Sequence, residues 1–138
     1  MNRQKALLVM VVSPDTGLSR ILENQLPESR FEVIHCRPGS DVSRQASRAQ
    51  IAVVDRINER PESACKEIRT IKKCDARLPI IAVSERSSGR DAEIVNQGVF
   101  FYLAGFSKKK LVRVVQAAAD SLDSRTNRDK QEKIILRR

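Results

Sequence analysis

Ile51-Ala52-Val53-Val54-Asp55 decides how this chain is read. Four apolar residues, three of them β-branched, are too few for a helix and show no polar alternation. They describe a strand covered on both faces, ending on a carboxylate. Working outward, Ala6 to Val12 is a second such run, and Ile80-Ile81-Ala82-Val83 a third that ends on Ser84. Phe31, Val33 and Ile34 predict a shorter edge strand, and Val99 to Leu103 a fifth strand.

Helical spacing fills the intervals. Leu18, Ile21, Leu22 and Leu26 share one face, with Asp15 or Thr16 as N-cap and Pro27 as the stop. Ser40 is placed to cap a helix running to about Ala49, with Val42, Ala46 and Ala49 inward. Pro61 suits the first turn of a third helix whose inner face is Ala64, Cys65, Ile68 and Ile71. A fourth runs from about Arg90 to Gln97 with Gly98 behind it as C-cap. Leu111, Val114, Val115, Ala118 and Leu122 mark the last. Strict alternation of strand and helix implies a doubly wound five-stranded parallel sheet with right-handed crossovers, an α/β fold.

A chain of 138 residues fits one domain that buries roughly two-thirds of its unfolded surface, so no metal or disulfide staple is required. With 4% aromatic residues and no Trp, the core is aliphatic. Cys36, Cys65 and Cys74 are an odd number without C-x-x-C spacing, which predicts free thiols, Cys36 and Cys65 buried, in a reducing compartment. The basic head and apolar run from Met1 to Val12 resemble a signal peptide. Ser13-Pro14-Asp15 closes the run without a small-residue cleavage site, so a buried strand is the better reading. No stretch suffices for a membrane span, and a cytoplasmic location is expected.

The net charge of +9 invites a nucleic-acid reading. Most cations are dispersed, as on a solvated surface. Only Lys108-Lys109-Lys110 and the tail from Arg125 to Arg138 are concentrated, the tail with six basic residues against Asp129 and Glu132. With no helix-turn-helix pattern and no set of stacking aromatics, weak electrostatic contact through the tail is the ceiling. Residues 1–122 form the expected domain, and 123–138 a basic tail that is either a helix extension or a linker.

In an open parallel sheet, ligands bind outside the carboxyl ends of the strands. Here those ends carry Ser13-Pro14-Asp15, Asp55, Ser84 and Ala104-Gly105. The blocks Val11 to Asp15, Ile51 to Asp55, Ile80 to Ser84 and Phe101 to Ser107 resemble, in order, those of the CheY-like response-regulator receiver family. The resemblance runs from about Ala6 to Leu122. It implies the flavodoxin-like (βα)5 fold with strand order 2-1-3-4-5, and two-component signal transduction as the setting.

The resemblance implies Asp55 as phosphoacceptor, Ser84 as a phosphate-binding switch residue, and Phe101 or Tyr102 as the switch aromatic. The family's acidic pair, which holds Mg²⁺, falls on Ser13 and Pro14, leaving only Asp15 one position later. The family's Lys falls on Ala104, or on Gly105 if the register slips by one. A Mg²⁺ site from Asp15 and Asp55 is therefore expected to be weak or absent, because Pro offers no side-chain oxygen and Ser a neutral one. The missing Lys removes a charge-assisted hydrogen bond of about 1.5–3 kcal/mol. Moving a switch from mostly off to mostly on takes roughly 5.5 kcal/mol of differential binding.

The leading expectation is thus a non-enzymatic, degenerate (pseudo-receiver) signalling module, with phosphorylation at Asp55 impaired or lost and no cofactor needed. It would act by protein contact, with a histidine kinase, output domain or output protein as partner, or as the N-terminal regulatory domain of a longer transcription regulator. Receivers typically associate through the face of helix four, strand five and helix five, here Glu93, Gln97, Tyr102, Lys109, Arg113 and Gln116, and a homodimer through it is expected. The alternatives are a working phosphorelay receiver and a basic nucleic-acid-binding protein. Ser13-Pro14-Asp15-Thr16-Gly17 also resembles a flavodoxin phosphate loop, but stacking aromatics for a flavin are lacking. His35 has no second ligand at metal spacing and reads as structural.

Overall fold

The computed structural model describes residues 6–39, 41–86 and 91–136, with backbone only at 58 and 124–136. Strands β1 (Leu7–Val12), β2 (Phe31–Cys36), β3 (Ile51–Val54), β4 (Ile80–Ser84) and β5 (Phe101–Ala104) alternate with helices α1 (Gly17–Gln25), α2 (Asp41–Ala46), α3 (Pro61–Cys74), α4 (Asp91–Val95) and α5 (Lys108–Leu136). All strand pairs are parallel, in the order β2-β1-β3-β4-β5. This is the flavodoxin-like order expected from the sequence.

The sheet's two faces carry two cores, because successive side chains of a strand point to opposite sides. Val9, Val11, Ile51, Val53, Ile81, Val83 and Leu103 pack with Leu18 and Leu22 of α1 and Leu111, Val115, Ala118 and Ala119 of α5. Met10, Val12, Ala52, Val54, Ile80 and Ala82 face Val42 and Ala46 of α2, Ala64, Ile68 and Ile71 of α3, and Ile94 of α4. β3 and β4 are buried along their whole length, which is why their sequences show no alternation.

Several boundaries differ from the sequence reading. α2 ends at Ala46, and Ala49 is buried from a following turn in which its N–H reaches the Gln45 carbonyl. Ser40, its expected cap, and Arg90, the expected start of α4, lie outside the described residues. α4 stops at Val95 because Gln97 and Gly98 tighten to i→i−3 bonds and Gly98 takes a φ of 80°. β5 begins at Phe101, two residues later than expected, since Val99 lies in the exit from that turn.

Pro61 opens α3 as anticipated, and α1 ends directly before Pro27. α5 starts at Lys108, which puts the three lysines at its N-terminus, and it runs on through the tail to Leu136. At 1.5 Å per residue that is roughly 43 Å, well beyond the sheet. Arg30, in the loop before β2, pairs with Asp120 at 2.7 Å and Asp123 at 3.4 Å, pinning α5 where it leaves the core. Among the described residues no helix is long and apolar enough to cross a membrane.

Candidate functional site

The carboxyl ends of β1, β3 and β4 bring Ser13, Asp15, Asp55 and Ser84 to one edge of the sheet. β3 continues one step past its last residue, the Asp55 N–H donating to the Val12 carbonyl at 2.9 Å. That bond fixes Asp55 beside Ser13, which is fully buried and itself tied to β2 through the Cys36 carbonyl at 3.1 Å. The Ser13 hydroxyl donates to Asp55 Oδ2 at 2.8 Å. His35 on β2 approaches the Ser13 carbonyl through Nε2 at 3.0 Å, in keeping with a structural role.

The other Asp55 oxygen, Oδ1, accepts the backbone N–H of Arg56 at 2.8 Å. Arg56 has a φ of 52° and a ψ of 43° and is the sole non-glycine with positive φ among the described residues. This left-handed step turns the chain into the 3-10 turn Ile57–Glu59 and sends the Arg56 guanidinium back to Asp15 Oδ2 at 2.5 Å. The second Asp15 oxygen accepts the Gly17 N–H at 3.0 Å, a turn that opens α1. Pro14, between the two, presents no donor.

Burial lifts the Asp55 carboxyl above the usual carboxylate range, against the pull of the Ser13 hydroxyl, the Arg56 N–H and the Arg56 charge. Asp15 lies below that range, chiefly through the Gly17 N–H and further through Arg56. All four carboxylate oxygens thus already accept a bond from the chain. Mg²⁺ is held by near-octahedral oxygen ligation at about 2.1 Å, so at these oxygens a divalent ion would share or compete for carboxylates that each already have two partners in the chain. Among the described residues no cluster of three or more His, Cys, Asp or Glu is placed to hold a metal.

On the other side of Asp55, Ser84 ends β4 opposite Ala104, and its carbonyl accepts the Gly105 N–H at 2.8 Å. The Ser84 hydroxyl is turned to the Arg86 carbonyl at 2.5 Å. Neither Ala104 nor Gly105 brings a charge to the crevice. Of the two aromatic candidates, Tyr102 shares the α4 side of β5 with Ser84, and its hydroxyl donates to Asp91 of α4 at 2.6 Å. Burial first, then Asp91, raises the Tyr102 phenol above its ordinary value, while a Ser84 hydrogen bond opposes them. Phe101 points to the opposite face and is 44% exposed.

Two supports escaped the sequence reading. Arg60, capping α3, donates from Nη2 to the Asp55 carbonyl at 2.8 Å, and its Nη1 pairs at 2.5 Å with Glu67, which is buried. Ser63 also donates to Glu67, at 2.9 Å. The i, i+7 spacing from Arg60 to Glu67 places both on the helix face that carries Ala64, Ile68 and Ile71. A charged pair on an apolar face was the available signal.

Several solved structures share this fold. The beryllofluoride-activated receiver domain of DrrB is 18% identical over 84% of this chain and 99% of its own, with a TM-score of 0.70. A response regulator from Thermotoga maritima is 23% identical over 83% and 98%, at 0.67. The chain has the receiver fold. NtrX from Brucella abortus, in complex with ADP, matches 94% of this chain but only 30% of its own, at 15% identity and a TM-score of 0.73. No family model matches the sequence, and no curated protein does. Within the receiver fold, Asp55 stands at the end of the central strand and Ser84 at the end of its neighbour.

Proposed function

We propose that this chain is a receiver-like signalling module that works by protein–protein contact, with phosphoryl transfer to Asp55 impaired or lost. The observation that carries this reading is the state of the crevice: Asp55 closes the central strand, but opposite Ser84 the neighbouring strand ends in Ala104 and Gly105, neither of which is a cation. Phosphoryl transfer depends on positioning and on neutralising charge at the equatorial oxygens. A phosphoryl group on Asp55 would meet the Ser84 hydroxyl only after that hydroxyl leaves the Arg86 carbonyl.

The contact surface in this reading is α4, β5 and the start of α5. The exposed large apolar side chains among the described residues are Val95, Phe100, Phe101 and Phe106, all on or flanking α4 and β5. Exposed aromatics, with exposed Lys109 and Arg113 on the adjoining start of α5, suit a protein partner, including a second copy of the chain. The partial coverage of NtrX suits a regulatory unit within a longer protein. Domain bounds of 1–122, with α5 continuing as a connector, belong to the same proposal.

Incubation with a small phosphodonor and Mg²⁺, followed by intact mass, tests the crevice. The expected result is no stoichiometric adduct. An adduct lost in Asp55→Asn would establish a working receiver instead. Light scattering before and after Phe101→Glu tests the surface; a strictly monomeric wild-type chain at high concentration, with no partner bound through this face, would exclude it. Salt-dependent binding to a labelled duplex would favour the nucleic-acid alternative.

A further inference from the structure

We infer that Arg56 is a tethered cation: its guanidinium takes the charge-compensating place beside Asp15 and Asp55 and makes the crevice blind to divalent metal. The inference rests on reading this edge as the receiver-type crevice, but it stands or falls independently of whether Asp55 accepts a phosphoryl group.

Three observations carry it. First, Arg56 binds both carboxylates at once, Asp55 through its backbone N–H at 2.8 Å and Asp15 through its guanidinium at 2.5 Å. Second, it does so from a left-handed backbone that a residue with a Cβ adopts only under constraint. A flexible surface arginine would not accept that strain to reach one carboxylate, because the Arg56 and Asp15 side chains are 34% and 50% exposed and such pairs are weak by themselves. The Asp55 bond to the Arg56 N–H helps hold the backbone from which the side chain reaches Asp15. Third, the remaining oxygens are already assigned, one to the Ser13 hydroxyl and one to the Gly17 N–H.

A divalent ion entering between Asp15 and Asp55 would have to displace a charge fixed to the chain, at a few ångströms' separation. Repulsion and the lost ligands act in the same direction. A fixed guanidinium also differs in kind from an exchangeable metal: the crevice's charge balance cannot depend on the ambient cation concentration.

The test uses Mn²⁺ as the probe, followed by paramagnetic broadening of backbone amide signals in the full chain. Wild type is expected to show no saturable broadening at Ser13, Asp15, Asp55 or Arg56. Arg56→Asn and Arg56→Gly both tolerate the left-handed conformation and remove the cation. Each is expected to gain saturable broadening centred on Asp15 and Asp55, with affinity raised roughly tenfold or more. Arg56→Lys keeps a cation and should behave as wild type. Saturable Mn²⁺ binding by wild type at Asp55 would overturn the inference, and so would variants that fold but gain none, or a Lys variant that binds like the Asn one. A phosphoryl adduct formed on wild type without divalent metal would defeat the proposed function while leaving Arg56 in this role.

Discussion

Replacing Arg60 by Met should destabilise this protein more than its position at a helix cap suggests. The guanidinium makes two buried bonds, to Glu67 and to the Asp55 carbonyl, and only 15% of its side chain is exposed. Arg60→Met would leave the Glu67 carboxylate, 6% exposed, with the Ser63 hydroxyl as its remaining named donor. Removing one partner of a buried pair costs about 3–5 kcal/mol, most of it the penalty of the orphaned charge. Because Arg60 Nε and Glu67 Oε1 have no partner even in the intact protein, the pair is incompletely satisfied. The double replacement Arg60→Met, Glu67→Met is therefore expected to recover most of the loss, and Glu67→Gln to cost less than Arg60→Met.

Urea unfolding followed by far-ultraviolet circular dichroism suits a chain without Trp. With a slope near 1.5 kcal/mol/M, a loss of about 3 kcal/mol moves the midpoint down by roughly 2 M. A shift below about 0.5 M for Arg60→Met, or a double variant as unstable as the single one, would refute the reasoning that an uncompensated buried carboxylate dominates.

Two further outcomes follow from the core. Burial, reinforced by the negative charges of Asp41 and Glu67, pushes the Cys36 thiol up to about 11. A folded-state value above the unfolded one means that stability is fully present below about pH 9 and is lost as pH climbs toward 11, by roughly 2–3 kcal/mol. Chemical denaturation across that interval should show a steeper alkaline decline for wild type than for Cys36→Ala; parallel curves would contradict it. Ile81 is fully buried at the centre of the sheet. Ile81→Ala should lower stability by about 2–5 kcal/mol and Ile81→Val by about 0.5–1.5, measured by the same urea titrations. A loss under 1 kcal/mol for the Ala variant would mean that α1 and α5 collapse into the space.

The sheet was legible in the chain because a fully buried parallel strand must be apolar on both faces. Ile51 to Val54 and Ile80 to Val83 meet that requirement without tertiary information, and Pro27, Pro61 and Gly98 punctuate the helices between them. Less was legible at the edges. β5 is an edge strand paired only with β4, and Phe101 in it and Phe100 just before it are exposed although their composition reads as core. The choice between Phe101 and Tyr102 likewise needed the pleat, which puts Tyr102 on the side of Ser84 and α4.

For the crevice, sequence alone determined which residue types stand there: Ser13 and Pro14 rather than carboxylates, and Ala104 and Gly105 rather than a lysine. Those are statements about residue identity, and composition settles them. Which groups meet the Asp15 and Asp55 carboxylates was decided only by tertiary structure. Arg56 follows Asp55 directly in the chain. Its reach to Asp15 depends on a left-handed φ that local sequence does not specify, and Arg60 meets the Asp55 carbonyl because the 3-10 turn Ile57–Glu59 folds the chain back on the end of β3. Side-chain identity is local, whereas the partner of a charge is set by where the chain brings it.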